Sequence, residues 1–198
     1  MNIPNKLTVS RLIMAPLFFL AFSLPLWFGP RFGTLSSVLT IVLLAMTELT
    51  DLLDGIIARK YHLVTDLGKV MDPFADTFSR LTYFVCLMMV GIMPAWAFIV
   101  IMWREFSIIF VRMLMMGKGK PVPANIWGKS KAVLYAVSGA AGILYIAFDR
   151  WFSSPDWLGP IGVVLTVLFS LAALASVASF LTYIKAILRD GSLSTMTK

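Results

Sequence analysis

Long apolar runs recur along the whole sequence, and they restrict the fold of this chain more than any other feature. A helix needs about 20 apolar residues to cross the hydrocarbon core of a bilayer, because each residue adds about 1.5 Å. Breakers and charged residues separate six such runs, at about residues 12–29, 34–58, 70–91, 94–116, 129–149 and 159–187. Of the 198 residues, 59% are hydrophobic and only 14% are charged, which is rare in a soluble domain. We therefore expect residues 1–198 to form one all-α integral membrane domain with six transmembrane helices.

The segment before the first run has a different character. Residues 1–11 contain too many polar side chains to cross a membrane. The first run is too long for the core of a signal peptide, and no convincing small-residue cleavage site follows it. Ile3, Leu7 and Leu12 would let one side of a helix rest on the membrane surface. We predict a short interfacial helix here, followed by a retained first span.

The net charge of +7 does not indicate a nucleic-acid-binding protein, because the basic residues lie between the apolar runs and form no basic domain. If successive runs cross the membrane in alternating directions, Arg31 and Arg150 fall on one side. The basic residues that fall on the other side are Lys6, Arg11, Arg59, Lys60, Lys69, Arg112, Lys118, Lys120, Lys129, Lys131, Lys185, Arg189 and Lys198. Positively charged loops stay in the cytoplasm. The sequence thus predicts a cell (inner) membrane protein with both termini cytoplasmic.

Cysteine and histidine each occur once. Cys86 lies within an apolar run, so an intramolecular disulfide framework and a clustered cysteine zinc site are excluded. His62 lies in a polar connection, and we expect it to be a solvated loop residue without a catalytic role.

Four aspartates lie near the cytoplasmic ends of the second and third runs. Asp51 and Asp54 are three residues apart and Asp72 and Asp76 are four apart, so each pair projects from one face of its helix. The short connection between the helices brings the two pairs together. Four carboxylates at membrane depth would repel one another and lose hydration unless cations lay between them. Oxygen ligands suit Mg²⁺ or Mn²⁺, and Mg²⁺ commonly binds substrate phosphates too. The sequence therefore predicts metal-dependent phosphate chemistry.

Small and basic residues lie between the two aspartate pairs. Gly55 and Ala58 remove side-chain bulk beside Asp54, and Gly68 does the same at the opening of the next helix, so a large group could approach the helix backbone. Arg59 supplies a guanidinium fork that suits phosphate. Close helix packing is a sufficient explanation for Gly55 or Ala58 taken singly, but it does not explain the charges.

Together these residues form a motif. It reads Asp51-Leu-Leu-Asp54-Gly55-Ile-Ile-Ala58-Arg59, then eight residues, then Gly68-Lys-Val-Met-Asp72-Pro-Phe-Ala-Asp76. Over these 26 residues the chain resembles the signature of the CDP-alcohol phosphotransferase family at all eight fixed positions. A match of this length is far more specific than a pair of aspartates.

The resemblance implies a homodimeric membrane enzyme that transfers a phosphatidyl-type group from a CDP-linked lipid to an alcohol. It implies two Mg²⁺ or Mn²⁺ ions in each site, with Asp51, Asp54 and Asp72 binding one and Asp51, Asp72 and Asp76 the other. Asp76 would also accept the proton of the alcohol. The residues implied at the CDP group are Asn5, Thr8, Gly55, Ala58, Arg59, Thr65 and Gly68. For Asn5 and Thr8, helix capping at the interface is an equally good explanation.

Further segments resemble the bacterial branch of the family that uses CDP-diacylglycerol as donor and glycerol 3-phosphate as acceptor, with phosphatidylglycerophosphate as the product. They include the opening Met-Asn-Ile-Pro-Asn-Lys-Leu-Thr and Gly-Lys-Ser-Lys at residues 128–131. An acceptor with its own phosphate needs cations beyond the two metals. The candidates are Arg104, Arg112, Lys129 and Lys131. Residues 77–80, Thr-Phe-Ser-Arg, depart from this branch, which usually continues with Lys and apolar residues.

Other readings stay open. The same chemistry with serine, inositol phosphate or choline as acceptor would change only the acceptor pocket, to which Arg80 could belong. A cation-coupled membrane transporter also places carboxylates within the membrane, but here they lie at one edge and the sequence shows no inverted repeat. A structural membrane anchor does not explain eight identities around charges at membrane depth. Arg104 and Glu105 could be a purely structural pair.

Overall fold

Our computed structural model describes residues 2–61, 65–117, 126–152 and 158–189. Over these ranges the chain is helical and contains no strand. The helices are α1 Ile3–Phe28, α2 Gly33–Lys60, α3 Asp66–Met89, α4 Ala95–Gly117, α5 Ile126–Phe152 and α6 Gly159–Arg189. A 3-10 turn, Pro30–Phe32, joins α1 to α2. The prediction of an all-α protein is confirmed.

Local signals in the sequence explain where the first helices begin and end. The side chain of Asn2 caps α1 by accepting a hydrogen bond from the backbone N–H of Asn5 at 3.2 Å. Thr65 caps α3 in the same way, with Gly68 N donating to Thr65 Oγ1 at 3.0 Å. Such caps satisfy N–H groups that have no partner within the helix. At the other end of α1, Gly29 has φ of 96°, a conformation that glycine adopts without a steric penalty.

Four helices of the described chain are long and apolar enough to cross a membrane, namely α1, α2 as far as Ala58, α5 from Ser130, and α6 as far as Lys185. The other two, α3 and α4, contain 24 and 23 residues and are therefore about 36 and 35 Å long. Their length matches a membrane span, but each carries charged residues in its middle. Those charges line the site described below.

The centre of the bundle consists of close aromatic contacts among α3, α5 and α6. Phe84 is fully buried, and its ring lies edge-on to Tyr135 and Phe169, with centroid distances of 5.6 and 5.7 Å. Gly139 on α5 faces α3 so closely that a Cβ there would lie 2.6 Å from Tyr83 Cε2. This packing fixes α3 against α5, and so fixes the two helix ends that meet at the site.

The N-terminal segment differs from the expectation. The sequence predicts a separate interfacial helix for residues 1–11, whereas residues 3–11 form the first turns of α1, which continues unbroken to Phe28. Asn5, Thr8 and Arg11 are buried, because α1 packs along both α2 and α3. The polar residues that make this segment unfit for the membrane core face the polar residues of those two helices.

Candidate active site

The last turns of α2 and the first turns of α3 carry the four aspartates, and the first turns of α1 pack against both. Asp51 and Asp54 meet the guanidinium of Arg11. Arg11 Nη1 forms an ion pair with Asp51 Oδ1, and Arg11 Nη2 lies 2.5 Å from Asp54 Oδ2. Asp72 Oδ1 approaches the same Nη2 to 4.0 Å. Three carboxylates from two helices therefore surround one cation.

This cluster has a closed side and an open side. The side chains of Arg11 and Asp54 are 1% and 7% exposed, whereas those of Asp51 and Asp72 are 50% and 47% exposed. Among the residues that the structure describes, no three acidic side chains are arranged to coordinate one metal ion directly; the group that the three aspartates surround is Arg11. The donor set nevertheless suits a hard divalent cation, because it consists of carboxylate oxygens gathered around a positive charge.

Asp76 pairs with a different cation. Arg80, one turn further along α3, donates from Nη2 to Asp76 Oδ1 at 2.6 Å and from Nη1 to Asp76 Oδ2 at 3.1 Å. A two-pronged contact of this kind holds a carboxylate in one orientation. The Asp76 side chain is still 38% exposed, while that of Arg80 is 13% exposed. The oxygens that the resemblance implies as proton acceptors are thus accessible, and a mostly buried guanidinium holds them in place.

Four of the residues expected at the CDP group meet beside Asp72. Thr8 Oγ1 donates to Asp72 Oδ1 at 2.6 Å, and Asn5 Nδ2 donates to Thr65 Oγ1 at 3.3 Å. At Gly68, an added Cβ would lie 3.2 Å from both Asn5 Oδ1 and Thr65 Oγ1. These contacts join α1 to the start of α3 and place Asn5 and Thr8 beside Asp72.

The other expected CDP-site residues follow Asp54 on α2. Gly55 and Ala58 are partly buried there. The side chain of Arg59 lies outside the part that the structure describes, and so does that of Lys129 on α5.

A cavity of about 490 Å³ opens beside the aspartates. Charged residues of both signs line it, namely Asp51, Asp72, Asp76, Arg80, Arg104, Glu105, Arg112 and Lys131. The aspartates come from α2 and α3, and most of the basic residues come from α4 and α5. A phosphate-bearing molecule in this cavity would contact carboxylates on one side and cations on the other.

Glu105 organises the basic side of the cavity. Its Oε1 accepts from Lys131 Nζ at 2.5 Å and from Arg104 Nη1 at 2.9 Å. Arg104 Nη2 also donates to Ser179 Oγ at 2.9 Å, which links α4 to α6. Two cations share one carboxylate, so this side of the cavity keeps a net positive charge. Arg112, two turns beyond Arg104, is exposed and adds to that charge.

A second cavity, of about 410 Å³, has an apolar lining that includes Phe19, Phe74, Phe78, Met102 and Phe106. It is lined in part by Thr77 and Ile109, which also line the charged cavity. Polar and apolar space therefore meet at the same pair of helices, α3 and α4. Such a junction suits a molecule with a charged head and an apolar tail.

The structure adds Arg11 to the site. From the sequence, Arg11 is recognised only as one of the basic residues on the cytoplasmic side. A signal for its role does exist, because Asn5, Thr8 and Arg11 follow one another at intervals of three residues and so share one helix face. The direction of that face depends on how α1 packs, which the spacing does not reveal.

Comparison with known proteins identifies relatives that cover most of this chain. A protein from Treponema pallidum (strain Nichols) named CDP-diacylglycerol–glycerol-3-phosphate 3-phosphatidyltransferase is 31% identical over 191 residues, covering 93% of this chain and 88% of the relative. A Bacillus subtilis (strain 168) protein of the same name is 33% identical over 149 residues, 73% of this chain and 77% of the relative. A probable phosphatidylglycerophosphate synthase of Mycobacterium tuberculosis (strain CDC 1551 / Oshkosh) is 31% identical over 189 residues, 96% of this chain and 83% of the relative.

The family model for CDP-alcohol phosphatidyltransferase matches residues 1–188. That match includes α1 with Arg11, the aspartates of α2 and α3, and the basic residues of α4 and α5. The resemblance found in a short motif therefore extends over nearly the whole chain, and the protein belongs to the CDP-alcohol phosphatidyltransferase family.

Proposed function

We propose that this protein transfers the phosphatidyl group of CDP-diacylglycerol to glycerol 3-phosphate, which yields phosphatidylglycerophosphate and CMP. The observation that carries the proposal is the charged cavity, in which Asp51, Asp72 and Asp76 share one space with the basic residues of α4 and α5. The names of the Treponema and Bacillus relatives describe the same donor and acceptor. The chemistry would take place at one end of the helix bundle.

The aspartates are the residues that would hold two Mg²⁺ or Mn²⁺ ions. Asp51, Asp54 and Asp72 would bind one ion, and Asp51, Asp72 and Asp76 the other. When bound, such ions neutralise the negative charge of a pyrophosphate and of the departing CMP. Two observations support this assignment: three of the carboxylates already share one positive charge, and Asp51, Asp72 and Asp76 line the same cavity.

Asp76 takes the proton in the proposed reaction. The hydroxyl oxygen of the acceptor forms a bond to the phosphorus that carries the diacylglycerol group, and its proton passes to the carboxylate of Asp76. The bond between that phosphorus and the bridging oxygen breaks, and CMP leaves with the electron pair. A general base needs hydrogen-bond reach to its proton. Asp76 is exposed to the cavity, and Arg80 holds both of its oxygens in place.

The donor would span both cavities. We assign its CDP group to the side where α1 meets α3, close to Asn5, Thr8, Thr65 and Gly68, with Gly55, Ala58 and Arg59 across from them on α2. Its acyl chains would lie in the apolar cavity that Phe74, Phe78 and Phe106 line. Because Thr77 and Ile109 line both cavities, the phosphorus under attack would lie near the junction.

The acceptor's phosphate would bind on the basic side of the charged cavity. We assign it to Arg104, Arg112, Lys129 and Lys131. Guanidinium and ammonium groups make strong charge-assisted hydrogen bonds to phosphate. The excess of cations over Glu105 gives that side the charge that an anionic acceptor needs.

We also propose that all six helices cross the cell (inner) membrane, with the charged cavity and both termini on the cytoplasmic side. The distribution of charge supports this orientation, because the cavity's end of the bundle carries most of the basic residues that the structure describes, whereas the opposite end carries Arg31 and Arg150. The family resemblance implies a homodimer, and we include that assembly in the proposal.

The test is CMP release by the purified protein from CDP-diacylglycerol with one acceptor at a time. We expect the fastest release with glycerol 3-phosphate, full loss in excess chelator, and recovery on addition of Mg²⁺ or Mn²⁺ in the parent but not in Asp72→Asn. Faster release with serine, inositol phosphate or choline would reassign the acceptor and leave the metal chemistry in place. Lack of release with every alcohol, together with cation uptake into liposomes, would favour the transporter.

A further inference from the structure

The guanidinium of Arg11 lies within the aspartate cluster. Its side chain is 1% exposed, and its two terminal nitrogens contact Asp51 and Asp54. Arg11 Nε has no hydrogen-bond partner among the described residues, although buried donors in proteins are generally paired. The two hydrogen bonds that the guanidinium does form go to Asp51 and Asp54, which are carboxylates that would hold the metals.

The charges explain why a cation is needed at this point. Asp51, Asp54 and Asp72 come from two helices and approach one guanidinium within 4.0 Å. Without a positive charge among them, the carboxylates would repel one another across a space that is closed on the side of Asp54 and open on the side of Asp51 and Asp72. Asp51 Oδ1 and Asp54 Oδ2 are bound to Arg11. A metal ion that binds these oxygens therefore has to displace the guanidinium or share the oxygens with it.

We infer that Arg11 is an internal counter-ion that competes with the divalent ions for the aspartate cluster. It stabilises the metal-free protein and thereby weakens the affinity of the site for metal. The inference rests on the proposed metal-dependent function, and it makes Arg11 a positioning residue that acts through Asp51 and Asp54.

Linkage gives the sign of the effect. In the metal-free protein Arg11 interacts with unneutralised carboxylates, whereas in the metal-bound protein the ions have already neutralised them. Arg11 therefore stabilises the metal-free form more than the metal-bound form. The difference between these two stabilising free energies is the amount by which Arg11 weakens metal binding. Removing the charge should consequently destabilise the metal-free protein and tighten metal binding.

The experiment compares the full-length parent with Arg11→Met and Arg11→Lys in detergent. The melting temperature is measured in EDTA and in saturating Mn²⁺, and the Mn²⁺ Kd is measured from the electron paramagnetic resonance signal of free Mn²⁺. For Arg11→Met we expect a lower Tm in EDTA and a Kd about tenfold tighter. That change corresponds to about 3–6 °C of additional stabilisation by metal in a chain of this size. Arg11→Lys keeps the positive charge but loses the two terminal nitrogens of the guanidinium. Its Tm in EDTA and its Mn²⁺ Kd should therefore lie between those of the parent and those of Arg11→Met.

Arg150→Met is the matched control. Arg150 is an arginine that is partly buried; it donates to Ser36 Oγ at 2.8 Å and lies over the ring of Phe22, but it is at the opposite end of the bundle. We expect this variant to lower the Tm equally in EDTA and in Mn²⁺, with the Kd unchanged. If Arg11→Met lowers the Tm equally in EDTA and in Mn²⁺, and if its Mn²⁺ Kd is unchanged or weaker, the inference is overturned. The proposed function is left intact by that result.

Three further outcomes are informative. If the parent binds no Mn²⁺, the metal-dependent function itself fails, and the role of Arg11 fails with it. If Arg11→Met folds only when Mn²⁺ is present, the inference is supported in its strongest form, because the ion has then replaced the missing charge. If Arg11→Met folds in neither condition while Arg11→Lys retains the parent's metal-induced shift in Tm and its Kd, Arg11 is a general structural residue and the inference is overturned.

Discussion

Asp76 and Arg80 show how much depends on one pair of residues at this site. Both oxygens of Asp76 accept hydrogen bonds from the guanidinium of Arg80, and the ring of Tyr135 lies under that guanidinium, with its centroid 5.6 Å away. Arg80 is in the segment where the sequence departs from the family branch that it otherwise resembles. Its position four residues after Asp76 puts it one helical turn away, where it can fix the direction in which the carboxylate points.

The first prediction concerns Asp76→Asn. We expect turnover to fall by at least about a hundredfold, the usual contribution of a general base, with the KM for CDP-diacylglycerol within about twofold of the parent. An amide fills the same space but does not take up the proton of the alcohol. Steady-state CMP release, normalised to the folded fraction from a thermal melt, measures both quantities.

Asp149→Asn is the control for that substitution. It makes the same chemical change near the C-terminal end of α5, at the opposite end of the bundle from Asp76. It should leave turnover and KM unchanged. Turnover near the parent's in Asp76→Asn would exclude Asp76 as the base. A donor affinity that falls as far as turnover would instead make this residue chiefly a metal ligand.

The second prediction concerns the basic side of the cavity. Arg112→Gln should raise the KM for glycerol 3-phosphate about ten- to a hundredfold, the equivalent of about 1.5–3 kcal/mol for a charge-assisted hydrogen bond, with little change in the KM for the donor. Arg112 is the cleaner residue to change, because it is exposed. Arg31→Gln, at the opposite end of the bundle, should leave both KM values as they are.

Lys131 needs a paired design, since Lys131→Gln alone removes a close partner of the buried Glu105 and should also lower stability. The double variant Lys131→Gln with Glu105→Gln removes both charges. If the acceptor KM rises in the double variant while its Tm stays closer to the parent's, Lys131 binds the acceptor. If only the Tm responds to these changes, the pair is structural.

At the level of the helices, the apolar runs predict most of what the structure contains. Apart from the start of α1, the helix ends lie within four residues of the runs identified from sequence. The spacing of the aspartates predicts that each pair shares a helix face. Asp51 and Asp54 contact one guanidinium, and Asp72 and Asp76 line one cavity, in agreement with that prediction. Periodicity succeeds here because it depends only on residues that are close in the sequence.

The contacts that the sequence does not predict join distant residues. Arg11 and Asp51 are 40 positions apart, and Glu105 and Lys131 are 26 apart. The polarity of residues 1–11 is the same whether the segment rests on a membrane surface or packs against an acidic site. Only the packing of α1 between α2 and α3 distinguishes the two, and that packing depends on the shape of the whole core.

The third prediction tests that core at the contact between α3 and α5. Gly139→Ala would place a Cβ 2.6 Å from Tyr83 Cε2, and the Tyr83 ring is already held edge-on by Phe84 at 5.0 Å. We expect a destabilisation of about 1–3 kcal/mol from overpacking, seen as a fall of about 5 °C in Tm. In Gly159→Ala, the new Cβ would have no atom of the described residues within 4 Å, so this variant should be neutral or slightly stabilising. Equal melting temperatures for the two variants would contradict this account.

On the scale of the whole molecule, the two cavities and the charge distribution give the bundle a polarity. The charged cavity lies at the end where α1, α3 and α5 begin, and the apolar cavity lies next to it along α3 and α4. Arg31 and Arg150 are at the far end. This arrangement predicts which surfaces face each side of the membrane.

The fourth prediction tests this orientation by labelling in intact cells. In a Cys86→Ser background, a cysteine introduced in place of Arg31 should react with a membrane-impermeant maleimide added from outside. A cysteine in place of Lys60 should react only after the membrane is permeabilised. The reverse pattern would place the charged cavity outside the cytoplasm, and labelling of both sites in intact cells would contradict a membrane-spanning arrangement.

The ion pair between Arg11 and Asp51 also constrains how the protein is made. During synthesis Arg11 leaves the ribosome 40 residues ahead of Asp51, so α1 is complete before its counter-charges exist. A lone arginine is unfavourable inside a bilayer. If the helices cross the membrane as proposed, we expect the first turns of α1 to stay at its water-facing edge until α2 arrives and Asp51 meets Arg11.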